Sequence, residues 1–390
     1  MNFEKLKEYL DSLESEFGIH GVDCKVTKGN ETVFRHMAGH SDYDGKVGVS
    51  DNDLYYIYSA TKVITMVSVM QLVEQGKIAL EDEVSKYLPE YSQMDVVEDF
   101  AVGEWPFEWP KPEDKTHKAK NTIRIIDLMT MTSGLSYDTE SYAIEELKRK
   151  TNNKATTRET VAAIAEMPLI CEPRTRWAYN LGHDVLAGVV EVVSGEKYGD
   201  HLRKHIFEPL GIKEMYFHLN DAQKARLSAQ YVSDFETKEI VPVENTNRFK
   251  LTENYESGGA GLACTVDAYS TFIQAISNNG VGVNGNRIIS KESIDRIREN
   301  FLHGQMLEDF MKSGKKGYGY GLGVRTLIDN SESKSPIGEF GWDGAAGAYV
   351  LIDPINNISI YYAQQVLGCL SAYYTIHPKI RDLTYEALGI

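Results

Sequence analysis

Apolar residues near the start of the chain recur at helical spacing. Phe3, Leu6, Leu10, Leu13 and Phe17 are separated by acids and lysines, which predicts an amphipathic helix. The period then changes to two. Val22, Cys24 and Val26 fall on one face of residues 21–28, the pattern of a half-buried strand. Gly29-Asn30 is a turn signal, and residues 32–37 read as the returning strand. Residues 58–75 are different again: Val63, Ile64, Met66, Val67, Val69, Met70, Leu72 and Val73 leave little polar face before Gly76. A helix apolar nearly all round is a buried one.

Residues 80–240 read as helices joined by loops, including 125–131, 158–166, 185–193 and 198–207. From about residue 255 glycines become denser and strand-like runs return at 324–328, 348–352 and 358–363. Asp353-Pro354 and Asn356-Asn357 supply turn chemistry between the last two, and residues 372–388 predict a terminal helix. Strands at both ends and helices in the middle predict an α+β architecture. Residues 1–80 and 240–390 would form an α/β sheet domain, residues 81–239 an inserted helical domain, and the active site would lie in the cleft between them. One connector is unusually long: residues 92–121 carry Trp105, Phe107 and Trp109 among Pro106, Pro110 and Pro112. They read as a surface loop pinned by aromatics or as a wall of a binding cleft.

A length of 390 residues exceeds what a single core usually supports, in keeping with two lobes. The formal charge of −16 repels phosphate backbones and anionic lipids, which argues against nucleic-acid and membrane partners. Cys24, Cys171, Cys264 and Cys369 are scattered without metal-ligand spacing. The N-terminal segment lacks the unbroken apolar core of a signal peptide, and no run of about 18 apolar residues occurs. The expectation is a cytoplasmic protein.

Several familiar signals fail. There is no Gly-x-Ser-x-Gly elbow, no His-Glu-x-x-His and no phosphate-binding loop. Gly280 to Gly285 matches Gly-x-Gly-x-x-Gly but follows a helical stretch, and Asn279-Gly280 and Asn284-Gly285 are turn dipeptides. His201 and His205 are four apart and could share a helix face, without an evident third ligand. Ser-x-x-Lys occurs four times, at Ser59/Lys62, Ser194/Lys197, Ser313/Lys316 and Ser331/Lys334. The last three lie in glycine-containing or polar loops. Only Ser59 opens a buried helix, where backbone N–H groups are free and the dipole is positive. Lys62 is then one turn deeper on the same face, and burial of an amine favours its uncharged, proton-accepting form.

The run Ile57-Tyr58-Ser59-Ala60-Thr61-Lys62 resembles the first motif of class C β-lactamases, penicillin-binding proteins and the related family VIII carboxylesterases. Residues 123–135 resemble a segment of their helical lobe, with Met131 at a usual histidine position. Residues 172–179 resemble the approach to their catalytic tyrosine, here Tyr179. Phe207 to Ile212, Ser257 to Leu262 and Gly341-Trp342-Asp343-Gly344-Ala345 follow in the family's order. The resemblance runs from about Gly21 to the end. It implies a β-lactamase/transpeptidase-like fold, with an antiparallel sheet flanked by helices and an all-helical lobe.

The resemblance also implies a mechanism. Ser59 is the expected nucleophile and forms an acyl-enzyme, with Tyr179 and Lys62 as the general-base pair. The backbone N–H groups of Ser59 and Ala345 form the oxyanion hole. No metal or organic cofactor is implied. Two departures bear on substrate. Leu181 stands where β-lactamases and penicillin-binding proteins place an asparagine, and Trp342 where they place lysine or histidine. Both remove polar recognition of a peptide-like or carboxylated substrate. Leu181, Trp342, Asp343 and Gly344 are the expected substrate-binding positions, with Trp342 an apolar wall and Asp343 at the rim or in a structural role. The expectation is a carboxylesterase acting on a small-molecule ester; the alternatives are a β-lactamase or D-amino-acid peptidase, or an acyltransferase.

Overall fold

The alternating run at residues 21–28 forms the strand β1 (Gly21–Lys28), and the chain returns as β2 (Glu31–Gly39). The computed structural model describes residues 1–103, 108–234 and 236–390. Five C-terminal strands join the first two: β3 (Tyr318–Tyr320), β4 (Arg325–Leu327), β5 (Phe340–Gly341), β6 (Tyr349–Asp353) and β7 (Ile358–Ala363). The sheet order is β3-β4-β5-β6-β7-β1-β2, antiparallel throughout. Cys24 faces Tyr362 and Val26 faces Ile360 across the β1–β7 pair, so sequence ends more than 300 residues apart meet in the middle of the sheet.

β1 is not half-buried. Val22, Cys24 and Val26 pack with Leu6, Leu10 and Leu13 of the helix α1 (Glu4–Phe17) and with Ile380 and Leu383 near the C-terminus. On the opposite face Asp23 and Thr27 are buried as well. Asp23 pairs with Arg35 at 2.7 Å, and Thr27 shares a 2.6 Å hydrogen bond with Ser359. A second helix covers this face: Val266–Ser277, capped by Thr265, whose Tyr269 ring stacks on Tyr361 at 4.4 Å. That helix, together with Lys291–Ile297 and Gly304–Met311, corrects the strand-rich reading of residues beyond 255.

The buried helix of the sequence is α2 (Thr61–Glu74), entered through a 3₁₀ turn over Tyr58–Ala60. Residues 61–72 are all buried. It packs against α3 (Gly182–Ser194). The expected helices near 125, 158 and 198 are present as Ile125–Met129, Thr157–Ile164 and Tyr198–Leu202, the last continuing as a π-helical turn, Arg203–Phe207. The connector at 92–121 is not wholly irregular: Asp95–Val97 pairs with Thr116–Lys118, and Phe100 stacks on Trp109 at 6.3 Å. Trp105, Pro106 and Phe107 lie outside the described residues. No helix among the described residues is long and apolar enough to cross a membrane.

Candidate active site

Three elements deliver the central groups. The short strand Tyr55–Tyr56 leads into Tyr58, whose φ of 46° is left-handed. This conformation is costly for a bulky side chain, about 1–3 kcal/mol, and persists only where packing over-determines it. The Tyr58 ring is fully buried and its hydroxyl bonds to Gln230. The sharp turn sets Ser59 immediately before α2, with Lys62 one turn further along.

Tyr179 arrives from a loop held on both sides by one residue. Ala178 N–H donates to the Met131 carbonyl at 3.2 Å and Asn180 N–H to the Met131 sulfur at 3.4 Å. Met131 itself sits at φ 60°, and Arg174 N–H donates to Thr132 O at 2.8 Å. The segment 123–135 thus clamps the chain on either side of the tyrosine and aims its ring.

The result is a compact triad. Tyr179 Oη and Ser59 Oγ are 2.7 Å apart, a hydrogen bond either hydroxyl can donate. Lys62 Nζ donates to Ser59 Oγ at 3.3 Å and to the Gly259 carbonyl at 2.7 Å, and lies 4.7 Å from the Tyr179 ring centroid. Lys62 is fully buried, whereas Ser59 keeps 8% exposure and Tyr179 is half-buried.

Trp342 does more than form an apolar wall. Its ring stacks on Tyr179 at 5.7 Å, and its indole N–H donates to Tyr179 Oη at 3.2 Å. Gly344 has no room for a side chain, since a Cβ there would stand 2.3 Å from the Ile57 carbonyl oxygen. The segment carrying Ala345 therefore lies against the backbone that leads into Ser59. Among the described residues the Ala345 N–H has no hydrogen-bond partner, and the residue is partly exposed.

Asp343 is corrected: it is not at the rim. Successive residues of an extended segment point to opposite sides, so Trp342 faces Tyr179 while Asp343 is buried behind it. There it pairs with Lys315 at 2.7 Å and Arg325 at 2.8 Å. Burial opposes its charge, but the two cations outweigh burial and hold the carboxyl well below its usual range. The Tyr373 hydroxyl meets the carbonyls of Gly344 and Ala345, both at 2.9 Å, pinning the segment from behind. A cavity of about 390 Å³ lies on this rear side, lined by Lys315, Arg325, Asp343, Tyr373 and His377, and Ser59 does not border it. Leu181 is also buried; its backbone N–H donates to Ser136 O at 3.1 Å as α3 begins.

Besides Tyr373, sequence reasoning missed Tyr137 and Asp184. The Tyr137 ring packs beside Tyr179 at 5.1 Å, tilted by 31°, with the Lys62 amine 5.7 Å from its centroid. Burial pushes its hydroxyl well above the usual phenol range, so it stays protonated. Asp184 is buried on α3, where its Oδ1 accepts from Tyr255, from Ser257 and from Gly259 N–H. The glycines of Ser257-Gly258-Gly259 follow from this packing: a Cβ on Gly259 would meet Asp184 at 2.5 Å, and one on Gly258 the His183 carbonyl at 2.3 Å.

His183 gives the site an acid limit. Its ring is fully buried, and neither nitrogen has a partner among the described residues. Burial first, and the Lys62 charge second, hold it well below its ordinary 6.5. The folded chain therefore keeps it neutral while the unfolded chain protonates below about 6.5. Proton uptake favours the unfolded state, and stability falls as the pH drops from that point toward the depressed folded value. The slope is about 1.4 kcal/mol per pH unit for one such group. Urea midpoints between pH 7 and 5 should decline less steeply in His183→Met than in wild type; equal slopes would refute the assignment.

The family model described as Beta-lactamase matches residues 6–368. Protein Rv1367c of Mycobacterium tuberculosis is 27% identical over 394 residues, covering 95% of this chain and 96% of its own. Lovastatin esterase of Penicillium rubens is 26% identical over 327 residues, covering 79% of this chain and 78% of its own. The solved structure of EstCE1, described as a hydrolase with promiscuous acyltransferase activity, superposes with a TM-score of 0.76 at 21% identity over 98% of both chains.

Proposed function

The chain belongs to the β-lactamase family, and from that premise we propose that it is a serine hydrolase cleaving carboxylic esters through an acyl-enzyme on Ser59. One observation carries the reading: Ser59 Oγ stands within reach of both the Tyr179 phenol at 2.7 Å and the Lys62 amine at 3.3 Å. A serine hydroxyl is a weak nucleophile until a neighbour takes its proton. The oxygen of Tyr179 suits that task, because it stands 2.7 Å from Ser59 Oγ and accepts from the Trp342 N–H, a donor that favours negative charge on it. Lys62 holds positive charge against the tyrosine ring and the serine oxygen.

In the first half-reaction Ser59 Oγ bonds to the ester carbonyl carbon as its proton passes to Tyr179, which reacts as the phenolate with the Lys62 ammonium as its counter-charge. The carbonyl oxygen takes the negative charge and is stabilised by the N–H groups of Ser59 and Ala345. The C–O bond to the alcohol then breaks, and Tyr179 returns the proton to the departing oxygen. In the second half, water gives a proton to Tyr179, attacks the acyl carbon, and the Ser59 oxygen leaves with that proton.

An ester is favoured over a β-lactam or peptide by what the site lacks. Neither Leu181 nor Trp342 offers the amide or cation that peptide-like and carboxylated substrates use, and the walls beside Tyr179 are the rings of Tyr137 and Trp342. The lovastatin esterase and EstCE1 similarities point the same way. Purified protein should turn over p-nitrophenyl butyrate with kcat/KM at least about 10²-fold above that for nitrocefin. The reverse preference would replace this reading with a β-lactamase. Added butanol separates hydrolysis from acyl transfer, since butyl butyrate forms only if an alcohol competes with water for the acyl-enzyme.

A further inference from the structure

Three side chains that the chemistry at Ser59 does not use meet on the turn and helix after α3. Glu196 lies in the turn Ser194-Gly195-Glu196-Lys197, His201 in the helix Tyr198–Leu202, and His205 in the π-helical turn that follows. One oxygen of Glu196, Oε2, is 3.0 Å from His201 Nδ1 and 2.9 Å from His205 Nε2. The two imidazoles are 4.4 Å apart, and all three ligand atoms lie within 4.8 Å of one another. His201 is buried, while Glu196 and His205 keep partial exposure, so the cluster has a route from solvent. Histidines four apart on a helix are common and mean little alone. The third donor, supplied by the preceding turn, makes this a three-point site.

We propose that Glu196, His201 and His205 bind a divalent transition-metal cation of the zinc class. Two imidazole nitrogens and one carboxylate oxygen are the donors such ions prefer, with further positions left to water. Calcium and magnesium, which take oxygen donors, do not suit it. The other oxygen of Glu196 bonds to Lys204, which orients the carboxylate from behind in the manner of an outer-shell partner. Binding exchanges the two imidazole–carboxylate hydrogen bonds for metal–ligand bonds, each ring carrying its proton on the far nitrogen. His201 Nε2, the nitrogen that would carry that proton, has no partner among the described residues.

The cluster sits on the brace of the catalytic helix. Tyr198 Oη is 2.7 Å from Thr65 Oγ1, and Gln71 donates to the His205 carbonyl at 3.0 Å, both contacts reaching α2. A bound cation would tie the turn to the helix and stiffen that brace, so the expected effect is on stability rather than chemistry.

The test is calorimetric titration of untagged, EDTA-stripped full chain with zinc chloride, paired with thermal midpoints. Wild type should bind one equivalent, and saturating zinc should raise its midpoint by several degrees while magnesium leaves it unchanged. His205→Ala and Glu196→Gln should each weaken zinc binding by about tenfold or more, with ester turnover of His205→Ala unaltered. Thermal midpoints in EDTA show whether each variant is folded. No saturable binding by wild type, equal affinity in both variants, or an equal midpoint shift with magnesium would each overturn the proposal.

Discussion

Replacing Ser59 with alanine is expected to lower ester turnover by about 10⁴-fold or more while leaving the fold intact. The serine side chain is small and keeps contact with solvent, so its loss opens little space. What disappears is the atom that, in the proposed mechanism, bonds to the acyl carbon. Tyr179→Phe is the companion variant. It preserves the ring packed between Tyr137 and Trp342 and removes only the oxygen 2.7 Å from Ser59. A loss of about 10²–10⁴-fold is expected for a general base. Because the proposed mechanism gives both residues one proton transfer, the double variant should be no slower than Ser59→Ala alone. The measurement is kcat/KM for p-nitrophenyl butyrate, with mass spectrometry of the quenched enzyme to detect a butyryl adduct on Ser59. Undiminished turnover by Ser59→Ala defeats the proposed mechanism. Losses that multiply in the double variant would show that the tyrosine acts on another step.

The parts of this site that sequence exposes are those set by local rules. Ser59 and Lys62 stand one helical turn apart, and the apolar composition of residues 61–73 is enough to mark their helix as buried. Tyr179 has no such local mark among 23 tyrosines; only resemblance singles it out, and its aim depends on Met131, 48 residues away. A rim position for Asp343 fails although a simple rule excludes it: once Trp342 faces the tyrosine, the next residue of an extended segment must face away. Tyr137, Tyr373 and Asp184 act through partners distant along the chain and leave no periodic trace. The helix Val266–Ser277 is masked by neighbouring glycines, which belong to close backbone approaches and turns on either side of it rather than to strands. Likewise β1 reads as half-buried because Asp23 and Thr27 are polar, yet each is buried with a partner from another strand.

Asp184→Ala is expected to cost about 3–5 kcal/mol of stability. Its Oδ1 accepts from the Tyr255 hydroxyl, the Ser257 hydroxyl at 2.5 Å and the Gly259 N–H at 3.2 Å. All four residues are buried or lie in a buried turn. Alanine would leave the Tyr255 and Ser257 hydroxyls facing a void, while the Gly259 N–H keeps its 3.2 Å bond to Ser257 Oγ; each unpaired buried donor costs about 1–3 kcal/mol, less where the site relaxes. The damage should also reach the chemistry. Gly258 and Gly259 pack against α3 too closely for any Cβ, and the Gly259 carbonyl is the 2.7 Å acceptor of the Lys62 ammonium. Releasing that turn lets the amine drift from Ser59, and a displacement of about 1 Å can lower kcat by about 10²-fold. Asp184→Asn keeps an acceptor oxygen at the same place, so it should retain more stability and more activity than the alanine. Urea unfolding, with kcat measured where each variant is fully folded, separates the two effects. If Asp184→Ala unfolds at the wild-type midpoint, the carboxylate is not what holds the turn. If it is destabilised but keeps wild-type kcat, the Gly259 carbonyl does not position Lys62.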